Sequence, residues 1–408
     1  MYLLYTLCIA AYTLGIYVAS LFSAKARLWV AGRKHFPDFV PATKKRWWFH
    51  CASLGEFEQA RPVIEAIRQA RPDIELVLSF FSPSGYEVRK NYAGVDRVFY
   101  LPSDLPYHMK RLVKQIRPDA FFLVKYELWL NLLRALHGAE VPCYLFSGVF
   151  REGHWLFSAA GFLGRQQLIP FKAIWVQDRA SILRLEGAGM KNVLPGGDTR
   201  FDRVLELARR PFPERDIIKQ HAASRKIMVA GSVWAPEITH LLEAAQVPGF
   251  FREWMLVIAP HELSDASLSR LKDSFSALGK SGLWSRKEWE VDILLIDTMG
   301  DLGKIYGLAD VAMVGGGFGK GIHNILEPAV YGVPVLFGPA HQKALEAAAL
   351  ISAGGAFEYR SASELKKMLQ NFSHDDAWRG KAGEASGIYV QSGAGASSAV
   401  LKKVLDAQ

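Results

Sequence analysis

Two glutamates stand where apolar runs end. Glu56 lies in "HCASLGEFEQARPVIEAI", just past "RWWFHCAS" and in one turn with Ser53 and Gly55, while Glu127 lies in "KYELW", just past "AFFLV". A carboxylate at a strand-to-helix turn, partly shielded from water, can take a proton from a hydroxyl nucleophile. The same place also suits an ordinary helix-start glutamate favoured by the helix dipole, and both readings of Glu56 stand at this point. Acids at two strand ends of one domain suggest a shared site. Arg200 in "GDTRFD" and Arg203 just after it are cations that would neutralise an anionic leaving group, against the default of a solvated face for any single arginine. His261 and Glu262 in "IAPHE" close another apolar run.

A second cluster is the stretch "VGGGFGKGIHNILEPAVYGVPVLFGP". Here Gly315, Gly316, Gly317, Gly319 and Gly321 precede His323, Asn324, Ile325, Leu326 and Glu327. A strand, a glycine turn and a helix opening near His323 would offer backbone N–H groups and a positive dipole end to a phosphate. The spacing lacks the final Ser/Thr of a P-loop, and no G-x-G-x-x-G stands in the first βα turn, so NTP hydrolysis and NAD binding are disfavoured. Close packing is the plainer use of such glycines. Glu327 lies one helical turn after Asn324. A glutamate is a poor phosphate ligand and a good hydroxyl acceptor, which points it at a ribose unless it only caps the helix. Ser232 in "KIMVAGSVW" is a further binding candidate.

The elements that must carry these residues read as alternating strands and helices. "RWWFHCAS", "IELVLSF", "RVFYLP", "AFFLVKYE", "VPCYLFSGVF" and "AIWVQD" form one series, with a helix from about Glu56 to Ala70 after the first. "LPGGDTRFDRVLELARRPFPERD" has the turn residues, charge and prolines of a linker. A second series follows: "KIMVAGSVW", "WMLVIAPHE", "VDILLID", "VAMVGGGF" and "VPVLFGP". The expected fold is α/β, two doubly wound parallel sheets with a cleft between their strand carboxyl ends, where open sheets of this kind bind ligands.

The chain of 408 residues is half hydrophobic, which excludes a disordered protein and fits two domains. Lys and Arg exceed Asp and Glu by 49 to 40, a net charge of +9 that favours anionic partners without choosing one. The basic residues form no nucleic-acid motif and have no aromatic platform, so no nucleic-acid partner is expected. Cys8, Cys51 and Cys143 form no CxxC pattern, and no histidine cluster has metal-ligand spacing, so no metal and no disulfide framework are expected. From Tyr2 to Phe22 there is no charge, and Lys25, Arg27, Arg33 and Lys34 follow at once. That length fits a membrane anchor, and basic residues after the apolar run place the body of the protein on the cytoplasmic side, whether the anchor spans the bilayer or lies in one leaflet.

Taken in order, "SLGEFEQARPVI", "KYELWLNLL", "GDTRFD", "DTMGDLGKIYGLADVAMVGGGF" and "GIHNILEPAVYGVPVLFGP" resemble the 3-deoxy-D-manno-octulosonic acid (Kdo) transferases of lipopolysaccharide assembly, over nearly the whole chain. The resemblance implies a GT-B fold: an anchor over residues 1–24, an acceptor-binding Rossmann-like domain over 25–205, and a donor-binding one over 206–408, with room for its last helix to pack back on the first domain. It implies an inner-membrane enzyme that moves Kdo from CMP-Kdo to a lipid A precursor, lipid IVA, and releases CMP without metal or cofactor. Another GT-B transferase, using a UDP-sugar and a lipid-linked acceptor, is the nearest alternative. Carried over, Glu56 would be the general base, and Glu127 and Arg200 would stabilise the transition state. CMP would lie against Pro260 and His261, against Met299, Gly300 and Asp301, and against Asn324, Ile325, Leu326 and Glu327, with Ser53, Gly55, Ser232, Gly316, Gly317 and His323 as further candidates. The family's "PRH" is "PHE" here, so either His261 takes the place of an arginine or the alignment slips by one. "GNLKFD" becomes "GDTRFD", which keeps the charge but changes the donor geometry.

Overall fold

The computed structural model describes residues 2–34, 36–41 and 43–406, so Met1 and the last two residues of the expected terminal segments lie outside the described residues. The chain divides into two compact units, residues 1–203 with 394–408, and residues 204–393.

In the first unit seven strands form one parallel sheet: β1 Arg46–Cys51, β2 Glu75–Phe80, β3 Arg97–Tyr100, β4 Ala120–Val124, β5 Cys143–Gly148, β6 Ala173–Val176 and β7 Val193–Pro195. Their order is β3-β2-β1-β4-β5-β6-β7. Successive side chains of a strand point to opposite faces, so Trp47, Phe49 and Cys51 enter one core and Trp48 the other. Both faces are buried, which explains why these strands read as continuous apolar runs. The last helix, Ala396–Asp406, belongs to this unit: Val400 and Val404 pack in the core that holds Phe57 and Ile64. The Asp202 carboxylate fixes its start by accepting from the N–H groups of Gly395 at 2.6 Å and Ser397 at 2.7 Å.

The second unit repeats the plan with β8 Lys226–Val233, β9 Trp254–Pro260, β10 Ser281–Leu283, β11 Ile293–Leu295, β12 Val311–Val314, β13 Val335–Phe337 and β14 Ala356–Glu358. The order is β10-β11-β9-β8-β12-β13-β14, again all parallel. In each sheet the connections diverge at one place, between β1 and β4 and between β8 and β12. Doubly wound sheets bind ligands beyond the strand ends at such a switch point.

Two expectations are corrected. The segment expected as a linker contains the helix Thr199–Ala208, because Asp198 accepts from the Arg200 N–H at 2.9 Å at its start and Phe201, Arg203 and Val204 are buried along it. The helix expected to open near His323 begins at Leu326 and has four residues, since Asn324 turns the chain first and its Oδ1 accepts from the Leu326 N–H at 3.2 Å.

The apolar N-terminus is a helix, α1 Tyr2–Ala19, long and apolar enough to cross a membrane. One side of it is docked on the first unit. Tyr5 Oη donates to Asp104 Oδ2 at 2.6 Å, Thr13 Oγ1 to Ser103 Oγ at 3.1 Å, Asn131 Nδ2 to Thr6 Oγ1 at 3.3 Å and Gln167 Nε2 to Tyr2 Oη at 2.5 Å. Leu3, Leu7, Leu14 and Val18 are exposed along another stripe of the same helix. Asp104, which also accepts from the Asn131 and Leu132 N–H groups, is buried, and that burial raises its pKa to about 6.

Candidate active site

In the first unit Glu56 and Glu127 follow β1 and β4, the two strands that flank the switch point. Glu56 is in the first turn of the helix Leu54–Ala70, and its Oε2 accepts from the Ala52 N–H at 2.5 Å. It therefore serves as a helix-start glutamate, the plainer of its two readings, with one oxygen. It is 5 % exposed, and this burial, with the charge of Glu127 adding to it, raises its pKa from 4.5 to about 8. Glu127 reaches solvent, yet the loss of hydration around it still pushes its pKa up, opposed by Lys125. Lys125 holds the left-handed conformation at φ 64°, a conformation that costs a non-glycine residue about 1 kcal/mol or more. Its N–H donates to the Phe146 carbonyl at 3.0 Å, which ties the turn carrying Glu127 to β5. A Cβ added at Gly55, in the first turn of this helix, would meet nothing within 4 Å.

Arg200 stands in the same unit with its guanidinium on the buried Asp198, Nη2 to Oδ2 at 2.7 Å. Asp198 also accepts from Gln59 Nε2 at 3.2 Å, and Thr199 Oγ1 donates to the Gln59 carbonyl at 2.6 Å. Gln59 is one turn after Glu56 on the same helix, so the "GDTR" segment is fastened to the helix that carries Glu56. Arg203 is a structural cation, 6 % exposed, facing Glu65 at 3.7 Å and Glu58 at 4.0 Å. Asp198 and Gln59 carried no signal in the sequence beyond their nearness to Arg200 and Glu56.

In the second unit the candidates gather at the carboxyl ends of β11, β9, β8 and β12, which are adjacent. Pro260 ends β9, and the His261 N–H donates to the Val233 carbonyl at 2.9 Å. The His261 ring stacks on Trp234 with centroids 3.9 Å apart and on His323 at 4.9 Å, and Trp234 Nε1 donates to His323 Nε2 at 3.3 Å. Burial and the neighbouring His261 lower the His323 pKa, which keeps that ring neutral and able to accept. After β11, Met299 is 85 % exposed and Gly300 takes φ 89°. Asp301 accepts from Trp284 Nε1 at 3.2 Å and pairs with Lys304 at 2.9 Å, and its pKa is lowered. Asn324 Nδ2 donates to Glu327 Oε1 at 3.2 Å, and Ile325 and Leu326 are buried.

The glycine stretch differs from its expected use. The Gly316 N–H donates to Glu237 Oε1 at 2.9 Å, and the N–H groups of Gly315, Gly319 and Gly321 donate to backbone carbonyls. Those four donors are occupied within the protein. The close-packing reading accounts for Gly315 and Gly317, where an added Cβ would lie 2.1 Å from the Ser232 carbonyl and 2.4 Å from the Gly338 nitrogen. Ser232 makes room for this approach by bulging β8 at φ 54°. Trp234, Pro236, Glu237, Gly316, Phe318 and His323 line a cavity of about 410 Å³. Glu237 and Trp234 were missed in the sequence; the tryptophan directly after "SV" at a strand end was the available signal.

Residues 26–203 match the sequence profile of the 3-deoxy-D-manno-octulosonic-acid transferase family. The 3-deoxy-D-manno-octulosonic acid transferase of Aquifex aeolicus is 25% identical over 83% of this chain and 89% of its own. That of Bordetella pertussis is 27% identical over 88% and 86%, and that of Chlamydia muridarum 29% over 72% and 70%. Among solved structures, the UDP-GlcNAc 2-epimerase of Neisseria meningitidis superimposes with a TM-score of 0.62 over 89% of this chain and all of the epimerase at 13% identity, a likeness of fold alone. That fold is the GT-B type, two Rossmann-like units each built on a parallel seven-stranded sheet. With the family profile on the first unit and the relatives running on through the second, the chain is similar to the Kdo transferases along most of its length.

Proposed function

We propose that this protein transfers Kdo from CMP-Kdo to lipid IVA, a lipid A precursor, in lipopolysaccharide core biosynthesis and releases CMP with inversion at the anomeric carbon. Glu56 takes the proton of the acceptor hydroxyl as its oxygen bonds to that carbon, and the bond to the CMP phosphate breaks with the electron pair leaving on CMP. Glu127 raises the basicity of Glu56, and with Arg200 on Asp198 it offsets the charge that develops in the transition state. CMP lies along the second unit's strand ends, against Pro260 and His261, Met299 to Asp301, and Asn324 to Glu327, with Glu327 on the ribose. Since the N–H groups of Gly315 and Gly316 are occupied, the nucleotide phosphate is met further along, between the imidazoles of His261 and His323 and the start of the Leu326 helix.

One observation carries this reading: a buried glutamate with a pKa raised to about 8, beside a second acid at a switch point, is poised as a base toward a hydroxyl. The reaction as written uses no metal, and unchanged turnover after EDTA treatment tests that. We place the enzyme at the cytoplasmic face of the inner membrane, with α1 lying in the leaflet. A spanning helix would have to leave the hydrogen bonds of Tyr2, Tyr5, Thr6 and Thr13. Mass spectrometry of lipid IVA after incubation with enzyme and CMP-Kdo should find one or more added Kdo units. Turnover with UDP-sugars and none with CMP-Kdo would refute the reading in favour of another GT-B transferase.

A further inference from the structure

A cavity of about 1080 Å³ in the first unit shares no residue with the candidate active site. Pro118 and Val141 in its wall come just before β4 and β5, so it reaches the amino ends of strands whose carboxyl ends carry Glu127 and Ser147. Lys110, Lys114, Arg117 and Arg134 line it, and no carboxylate does. Lys110 and Lys114 lie one turn apart on one face of the helix Pro106–Ile116, Arg117 follows as its left-handed C-cap at φ 48°, and Arg134 comes from the neighbouring helix Leu130–Gly138. None of the four forms an ion pair among the described residues.

A helix carboxyl end would account for Lys114 and Arg117 through the dipole, but that effect fades within one turn and leaves Lys110 and Arg134 unexplained. The cavity also meets α1. Gln167, in its wall, bonds Tyr2 Oη, and the Arg134 guanidinium lies over the Tyr2 ring at 5.0 Å. Immediately beyond are Leu3, Leu4 and Leu7, exposed by 73 %, 65 % and 57 %. Four uncompensated cations thus open beside an unpartnered apolar stripe. That pairing fits an amphiphile whose phosphate enters the cavity while its chains lie along α1.

We propose that this cavity is a second site, separate from catalysis, that takes the phosphate headgroup of an anionic bilayer lipid and seats the enzyme on the membrane. The proposal rests on the membrane reading above. The test is sedimentation of the full-length protein with phosphatidylcholine vesicles containing 0 or 30% phosphatidylglycerol. Replacing Lys110, Lys114 and Arg134 together by alanine should lower binding to the anionic vesicles on the order of 10- to 100-fold, as expected for three cations at such a surface. A control triple at the exposed Lys366, Lys367 and Lys381 should bind as the wild type does, and matching thermal melts exclude misfolding. Equal binding by the cavity triple and the wild type, or equal loss in the control triple, would each overturn the site. A wild-type protein that binds no vesicle would instead overturn the membrane reading beneath it.

Discussion

If Glu56 is the base, the pH dependence of transfer must report its buried environment. With a pKa of about 8, roughly one tenth of Glu56 is ionised at pH 7, half at pH 8 and nine tenths at pH 9. Turnover per enzyme at low substrate, read as kcat/KM, should therefore rise about five-fold from pH 7 to pH 8 and less than two-fold from pH 8 to pH 9. Glu127→Gln removes the neighbouring charge and leaves the burial, so the rise should move to lower pH even if the rate itself falls. Stability must run the other way. A carboxyl whose pKa is higher folded than unfolded holds its proton more tightly in the native state. Its contribution is present below the unfolded value near 4.5 and is lost, at about 1.4 kcal/mol per pH unit, as pH rises through 8. Glu56→Gln keeps an oxygen for the Ala52 N–H and carries no charge, so it should melt higher than the wild type at pH 9 while transfer drops about 10²- to 10⁴-fold. CMP affinity, measured by calorimetry, should be unchanged. An acid limb near pH 4 to 5, a limb that Glu127→Gln fails to move, or Glu56→Gln turnover close to wild type would each refute the assignment.

Other perturbations probe the supports. Gly315→Ala puts a Cβ 2.1 Å from the Ser232 carbonyl, an overlap that backbone must absorb, so chemical denaturation should register a loss of about 2–4 kcal/mol in the second unit. Glu237→Ala leaves the N–H groups of Gly316 and Trp234 without their acceptor, which should cost about 2–3 kcal/mol and weaken CMP binding in calorimetry through disorder of the Trp234 stack. Asp104→Ala removes the acceptor for Tyr5 and the cap of the helix Leu130–Gly138. It should cost about 1–3 kcal/mol and make the segment after α1 more sensitive to limited proteolysis.

The sheets were legible because parallel strands covered on both faces must be apolar throughout, and runs such as "RWWFHC" and "KIMVAGSV" leave no other reading. The strands β7, β10 and β14 escaped because they are three residues long and only partly buried, whereas β11 and β13, equally short, are buried throughout and read as apolar runs. "TRFDRVLELA" reads as linker because its charges and flanking prolines mask the apolar face of Phe201 and Val204. The acids at β1 and β4 could be found from position alone. Only the fold could reveal which donors were already used. Glu237 reaches the Gly316 N–H across 79 positions of sequence, and nothing local to "VGGGFG" announces that its amides are occupied.

Both units place their distinctive groups at one topological point. Glu56 and Glu127 flank the β1/β4 junction, and Ser232, Trp234 and the glycine turn flank β8/β12. There the crossovers diverge to opposite faces of the sheet, and no connecting helix covers the strand ends. Two of the seven non-glycine residues with positive φ among the described residues, Lys125 and Ser232, stand at these ends. Such strain persists only where surrounding structure fixes it, and here it is fixed by the Lys125 bond to Phe146 and by the contact of the Ser232 carbonyl with Gly315. Relaxing either turn would move the acid of one unit or the aromatic shelf of the other. The strain therefore belongs to the positioning of the chemistry rather than to the stability of the sheets.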